Sequence, residues 1–225
     1  MICIPVSAAT TAETRTKMAQ AATLADLVEL RLDLMGEADL PALLKAPRPP
    51  VIVTNRRREE GGGFDGSEGD RIARLIEAAR LGADYVDIET ATATDLKAEL
   101  RQACKEKGTK RIASWHDFNE TPPAEVLQTR LARAVTDAPA IIKIVTLARK
   151  PEDNLRLLEL IPWSHGMGKA IAAFCMGEHG AGGRIMAHLM GSAVTYAALG
   201  EGEASAPGQL TVRQFREILG ILALR

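Results

Sequence analysis

Aromatic side chains are scarce in this chain: two tryptophans, two tyrosines and four phenylalanines make up 4% of its 225 residues. Its core must therefore be built mostly from alanine, leucine, isoleucine and valine. Cysteine is scarcer still. Cys3, Cys104 and Cys175 are odd in number, widely spaced and without a CxxC pair. That argues against a disulfide framework and a cysteine zinc site, and it suits a reducing cytoplasm. No apolar run approaches the roughly 18 residues of a membrane span. The opening MICIPVSAATTAETR has no basic region, and its apolar run is too short for a secretory signal. Neither charge is in excess, since 28 basic and 29 acidic side chains leave a net charge of -1. This balance argues against a general nucleic-acid or membrane-surface role and still allows a local basic pocket.

What the chain does have is a steady alternation of short apolar strands and helical segments. Strands are expected at 2–6, 26–33, 51–55, 83–89, 110–116, 140–146, 169–175 and 192–199. Helices are expected at 11–22, 39–46, 67–81, 94–107, 122–137, 151–161, 183–190 and 211–222. Ser67, Glu68, Gly69 and Asp70 form a capping pattern, and Gly82 and Gly108 are helix stops. Strands that alternate with helices imply parallel pairing. Eight such units in 225 residues predict a compact single-domain (β/α)8 TIM barrel over 1–225. The alternative is an open doubly wound sheet. That fold usually carries GxGxxG after its first strand, where this chain has Ser7-Ala8-Ala9-Thr10.

In a parallel barrel, side chains alternate faces along each strand and the strand C-termini carry the site. Glu29, Arg31 and Asp33 share one phase of the second strand, with Val28, Leu30 and Leu32 in the other. Asp87 and Glu89 share a phase of the fourth. The charged phases are expected at the barrel top, because both faces of a parallel sheet are covered. His116 ends the fifth strand in phase with Ile112 and Ser114, which suits acid/base work near neutral pH. Lys143 sits among four β-branched aliphatics in Ile141-Ile142-Lys143-Ile144-Val145. It is either a snorkelling strand-end lysine or a buried amine lowered in pKa to serve as a Schiff-base nucleophile. Two glycine-bearing loops, 56–63 and 177–184, add anion-binding potential. His165, His179 and His188 show no metal-ligand spacing, and Trp163 and the cysteines read as packing.

Taken in order, these motifs resemble the type I 3-dehydroquinate dehydratases, lyases of the shikimate pathway. The carriers are Glu29-Leu30-Arg31-Leu32-Asp33; Thr54-Asn55-Arg56 with Glu60-Gly61-Gly62; Tyr85 to Glu89; Ser114-Trp115-His116-Asp117-Phe118; Lys143-Ile144-Val145; Met176-Gly177 leading to Arg184; Gly191-Ser192; and Ser205-Ala206-Pro207-Gly208-Gln209. The likeness spans nearly the whole chain. It implies that Lys143 forms an iminium with the C3 ketone of 3-dehydroquinate, so that no metal or organic cofactor is required. It implies that His116 is the acid/base, with Glu60 and Asp87 orienting or tuning it. Arg184 would pair with the substrate carboxylate, with Ser205 and Gln209 completing that pocket. Glu29 and Arg56 would hold the ring hydroxyls, supported by Arg31. The run 178–183 is richer in glycine than the family pattern, in which a serine commonly stands at the position of Gly183.

Two rival readings remain. A class I aldolase would also use a strand lysine, but the His116 and 205–209 motifs do not support it. A catalytically silent barrel is opposed by Lys143, His116 and Arg184 standing together. The expected partners are the small-molecule substrate and a second copy of the chain, with no nucleic acid and no membrane. The polar, glycine-bearing loop 200–209 is expected to act as a lid.

Overall fold

The computed structural model describes residues 1–36, 39–45 and 47–222. Its strands are β1 (Ile2–Val6), β2 (Leu27–Arg31), β3 (Val51–Thr54), β4 (Tyr85–Glu89), β5 (Lys110–Asp117), β6 (Ile141–Leu147), β7 (Ile171–Met176) and β8 (Thr195–Tyr196). The helices between and after them are α1 (Thr11–Ala22), α2 (Leu40–Lys45), α3 (Glu68–Arg80), α4 (Thr94–Lys107), α5 (Ala124–Thr136), α6 (Asp153–Leu158), α7 (Leu160–Gly166), α8 (Ala181–Leu189) and α9 (Val212–Ile221). Every ladder is parallel, in the order β7-β6-β5-β4-β3-β2-β1-β8. At the seam the Ala193 N–H donates to the Ile171 carbonyl at 2.7 Å, which brings the β8 end of the sheet round to β7. This is a nearly closed (β/α)8 barrel and not an open doubly wound sheet.

The apolar phase of each strand faces the helices. Val28, Leu30, Val51, Val53 and Val86 are buried with Ile72, Leu75 and Leu100 of α3 and α4 in one core. A second core joins β5–β7 to α5–α8 and includes the inward Cys3, Leu27, Ile52 and Ile112. Helix starts follow local chemistry: Ser67 caps α3 through the Asp70 N–H, and Thr211 with Gln214 forms a reciprocal capping box on α9.

Several expected boundaries shift. β2 ends at Arg31 instead of 33, and a 3₁₀ turn (Leu32–Leu34) folds Asp33 back onto the Arg31 guanidinium at 2.7–2.9 Å. The segment 151–161 is not one helix but α6 followed by α7. Pro162 falls in the first turn of α7, where its missing N–H leaves no bond unmade. The eighth strand, expected over 192–199, shrinks to two residues. After the Ala197 N–H bonds to Cys3, the Ala198 N–H turns to the Leu210 carbonyl, and the chain leaves β1 for Thr211. The helix expected to reach residue 46 is seen to Lys45, and Ala46 lies outside the described residues.

Candidate functional site

Strand register brings the charged phases of β2–β6 together. Arg31 lies opposite Thr54, Thr54 opposite Asp87, Glu89 opposite Ser114, Ser114 opposite Lys143, and His116 opposite Val145. Above them opens a cavity of about 500 Å³, its mouth included. Glu29, Arg31, Arg56, Glu60, His116, Lys143, Arg184, Ser205 and Gln209 all line it. Asp87 sits behind this surface, fully buried.

Lys143 is 6% exposed. Its Nζ donates to Asp87 Oδ2 at 3.1 Å, lies 3.6 Å from Glu29 Oε1, and stands 4.2 Å from the centroid of the Tyr196 ring. Ile142 and Ile144 take the opposite phase of the strand, while Val145 shares the phase of Lys143 and lines the cavity. The amine itself meets carboxylates and a π-face, so its charge is compensated and the site is not the bare apolar pocket that the strand suggested. Glu29 is held in turn by the Thr54 hydroxyl at 2.8 Å.

Asp87 anchors a buried network. It accepts from Ser114 Oγ at 2.5 Å and pairs with Arg56 at 2.8 Å. Burial opposes its charge, but Arg56 and Lys143 outweigh burial and hold the carboxyl well below the usual range. The other arm of Arg56 reaches Glu89 at 2.8 Å and Ser114 at 2.7 Å. Arg71 extends the network from α3. It lies 2.7 Å from Glu89 Oε2 and donates to the Asn55 carbonyl at 2.6 Å. Arg56 is the inward arginine of its run, while Arg57 pairs with Glu59 and the exposed Arg58 with Asp65. Its guanidinium is engaged by Asp87, Glu89 and Ser114 and also lines the cavity, where its expected contact is with the ring hydroxyls.

His116 Nδ1 lies 3.0 Å from Glu60 Oε2, and the same oxygen accepts the His116 backbone N–H at 2.9 Å. Burial, then Arg56 and Lys143, push His116 well below its usual value, so the ring is neutral near pH 7. Burial pushes the Glu60 carboxyl up to about 7. Of the two carboxylates expected to orient or tune His116, Glu60 bonds to the imidazole, while Asp87 bonds to Lys143 and acts on His116 through its charge alone. Glu60 arrives on a 3₁₀ turn (Arg58–Glu60) closed by Gly61 at φ +75, and the Phe118 ring fills the space a Cβ at Gly61 would need.

Arg184 is different in kind. It is 2% exposed and stacked 4.6 Å from the Phe174 ring centroid. Among the described residues its Nε and one terminal nitrogen have no hydrogen-bond partner. Burial pulls its guanidinium down to about 10. Facing it is the loop after β8, where Gln209 Oε1 accepts from the Ser205 N–H at 2.8 Å and the Gly177 N–H donates to the Pro207 carbonyl at 3.0 Å. Gly183, next to Arg184, has no room for the serine of the family pattern, because a Cβ there would overlap the Asn154 amide.

Glu89, Ser114 and Thr54 share the inward phase, which was their signal in sequence. Tyr196 and Arg71 had no comparable signal: one sits in an apolar run and the other on a helix. Among the described residues no group of three or more His, Cys, Asp or Glu is placed to hold a metal ion.

The type I 3-dehydroquinase family model matches residues 2–225. A 3-dehydroquinate dehydratase of Syntrophobacter fumaroxidans is 40% identical over 205 residues, 87% of this chain and 86% of that one. One from Dehalococcoides mccartyi strain BAV1 is 40% identical over 224 residues, 96% and 93% of the two chains. The crystal structure of 3-dehydroquinate dehydratase from Geobacillus kaustophilus superimposes with a TM-score of 0.89 at 28% identity, covering 99% of this chain and 90% of that one.

Proposed function

The chain belongs to the type I 3-dehydroquinase family, dehydrating 3-dehydroquinate to 3-dehydroshikimate through a lysine Schiff base in the shikimate pathway, and from that premise we propose that Lys143 is the lysine concerned. The observation that carries this reading is its amine, buried at the cavity wall and ion-paired with Asp87 and Glu29.

His116, neutral and turned toward Glu60, takes a proton from the Lys143 ammonium. The free amine adds to the C3 carbonyl carbon. The adduct's oxygen takes one proton from the nitrogen and a second from His116 and leaves as water, and the nitrogen, now with one N–H, keeps the positive charge as an iminium. His116 then takes the C2 proton, and the C–H electron pair moves into an enamine. The enamine expels the C1 hydroxyl, which leaves as water with the proton from His116. Hydrolysis of the iminium releases the product ketone and the amine. Glu60 orients the imidazole, while Asp87 and Glu29 compensate the nitrogen's charge. Arg56 holds Asp87 and Glu89 in place. Arg184, whose unpaired buried donors suit a carboxylate taken in bidentate fashion, binds the substrate carboxylate with Ser205 and Gln209. Glu29, with Arg31 behind it, meets the ring hydroxyls.

The reading extends to one catalytic barrel over 1–225, acting in the cytoplasm as a homodimer without nucleic-acid or membrane partners. Three buried free thiols suit a reducing compartment. No helix among the described residues is long and apolar enough to cross a membrane. Leu155 on α6 and Trp163 on α7 are exposed and available to a second copy. Incubation with 3-dehydroquinate, followed by the rise of enone absorbance, tests the assignment. Wild-type protein is expected to turn over, and Lys143→Ala to lose at least about 10³-fold of the rate. Undiminished turnover by Lys143→Ala would remove Lys143 from the mechanism.

A further inference from the structure

Tyr196 occupies half of the two-residue β8, paired with Cys3 of β1, and is 6% exposed inside the barrel. Its ring centroid lies 4.2 Å from Lys143 Nζ. Its hydroxyl is buried and, among the described residues, has no hydrogen-bond partner. The ring packs at 5.9 Å against Phe174, which in turn carries the Arg184 guanidinium on its face at 4.6 Å. Two touching rings thus sit beside the two cations that the proposed reaction uses.

We propose that Tyr196 is a positioning residue for the Schiff base: its ring face holds the positive charge on the Lys143 nitrogen as the amine becomes an iminium. The inference rests on Lys143 being the nucleophile. An ammonium has three N–H donors; Lys143 donates one to Asp87 at 3.1 Å, and Glu29 lies at ion-pair distance, 3.6 Å. The iminium keeps one N–H, so hydrogen bonding weakens just as the charge must persist. The ring quadrupole attracts the charge itself and needs no hydrogen. Its hold on the nitrogen therefore survives bond formation at C3, and it also limits where the nitrogen can sit relative to the substrate ring. The partnerless hydroxyl takes no share in this contact, so the face of a plain phenyl ring should serve.

The test compares Tyr196→Leu, Tyr196→Phe and a series of increasingly fluorinated phenylalanines at position 196, in which the ring keeps its shape and loses its quadrupole. Tyr196→Leu is expected to lower kcat by about 10- to 30-fold and to reduce the adduct trapped at Lys143 by borohydride in the presence of 3-dehydroquinate. Tyr196→Phe should restore both. Within the fluorinated series, which avoids any packing defect that leucine introduces, kcat and trapped adduct should decline stepwise with fluorination while the thermal midpoint stays level. A flat series, or Tyr196→Phe falling as far as Tyr196→Leu, would overturn the role of the ring. A wild-type protein with no adduct at Lys143 would overturn the Lys143 reading, and this inference with it. An adduct in the wild type with a flat series would overturn this inference alone.

Discussion

The two walls of the cavity are built on opposite plans. On the β2–β6 wall Arg31, Arg56, Arg71 and Lys143 meet Asp33, Asp87 and Glu89 within 2.7–3.1 Å, with Glu29 3.6 Å from Lys143. On the β7–β8 wall Phe174, Met176 and Tyr196 form an apolar face, and Arg184 stands there with no carboxylate partner among the described residues. Burying charge is costly unless it is paired. The first wall satisfies itself from within the chain. The second leaves buried Arg184 donors without a partner among the described residues. Under the proposed function, the first wall is a self-sufficient catalytic wall and the second a binding wall completed by the substrate.

That contrast can be broken from either side. The largest effect is expected on the charged wall: His116→Ala should slow turnover by about 10²–10⁴-fold, with a Schiff-base adduct accumulating in quenched samples because its hydrolysis also fails. A wild-type kcat would move the acid/base role elsewhere. The two buried arginines give the sharpest comparison. Arg184→Met should cost about 10²-fold or more in kcat/KM and yet raise the thermal midpoint, since an unpaired buried cation is removed. Arg56→Met should instead destabilise the fold by about 3–5 kcal/mol, because it strands Asp87 and Glu89. Thermal shifts of the same sign in both variants would collapse the distinction between the walls.

Smaller effects refine the account of the Glu60–His116 pair. Glu60 holds its proton more tightly folded than unfolded, from an ordinary 4.5 up to about 7, so its contribution to stability is lost as pH rises through that window. His116 holds its proton less tightly than its ordinary 6.5, so its contribution is lost as pH falls below 6.5. Between about pH 5 and 6.5 the two slopes oppose each other. Glu60→Gln removes one of them. Denaturant titrations should then show the variant gaining up to about 1.4 kcal/mol of stability per pH unit over this range, relative to the wild type. Parallel curves would mean that the Glu60 carboxyl is not raised in the folded protein. The smallest effect is expected in the loop 200–209. Gln209→Ala should raise KM by about 2- to 10-fold with an unchanged thermal midpoint, and amide exchange in that loop should slow when a carboxylate ligand binds. Exchange that ignores the ligand would make the loop a plain connection and not a lid.

Much of the charged wall was legible because it is written on strands. A period of two places Glu29 and Arg31, Asp87 and Glu89, and Ser114 and His116 on one face, and parallel pairing then brings those faces together. What was not legible arrives by other routes. Arg71 enters the interior from α3, where no strand phase marks it. Asp33 was assigned to the strand and is instead carried back by a turn onto Arg31. Tyr196 sits in an apolar run whose strand is cut short by the pull of Leu210 and Thr211, so neither its ring nor its reach to Lys143 was marked. The partition of Glu60 to His116 and Asp87 to Lys143 depends on how turns and strands meet across the barrel, which spacing along the chain does not encode.

The central claim is that the amine held by the charged wall becomes covalent with the substrate. Borohydride reduction in the presence of 3-dehydroquinate, followed by peptide mapping of the intact protein, tests it most directly. A single reduced adduct is expected on the peptide containing Lys143, with loss of activity in proportion to its formation. An adduct at Lys169 or another lysine, with Lys143 unmodified and activity gone, would contradict it.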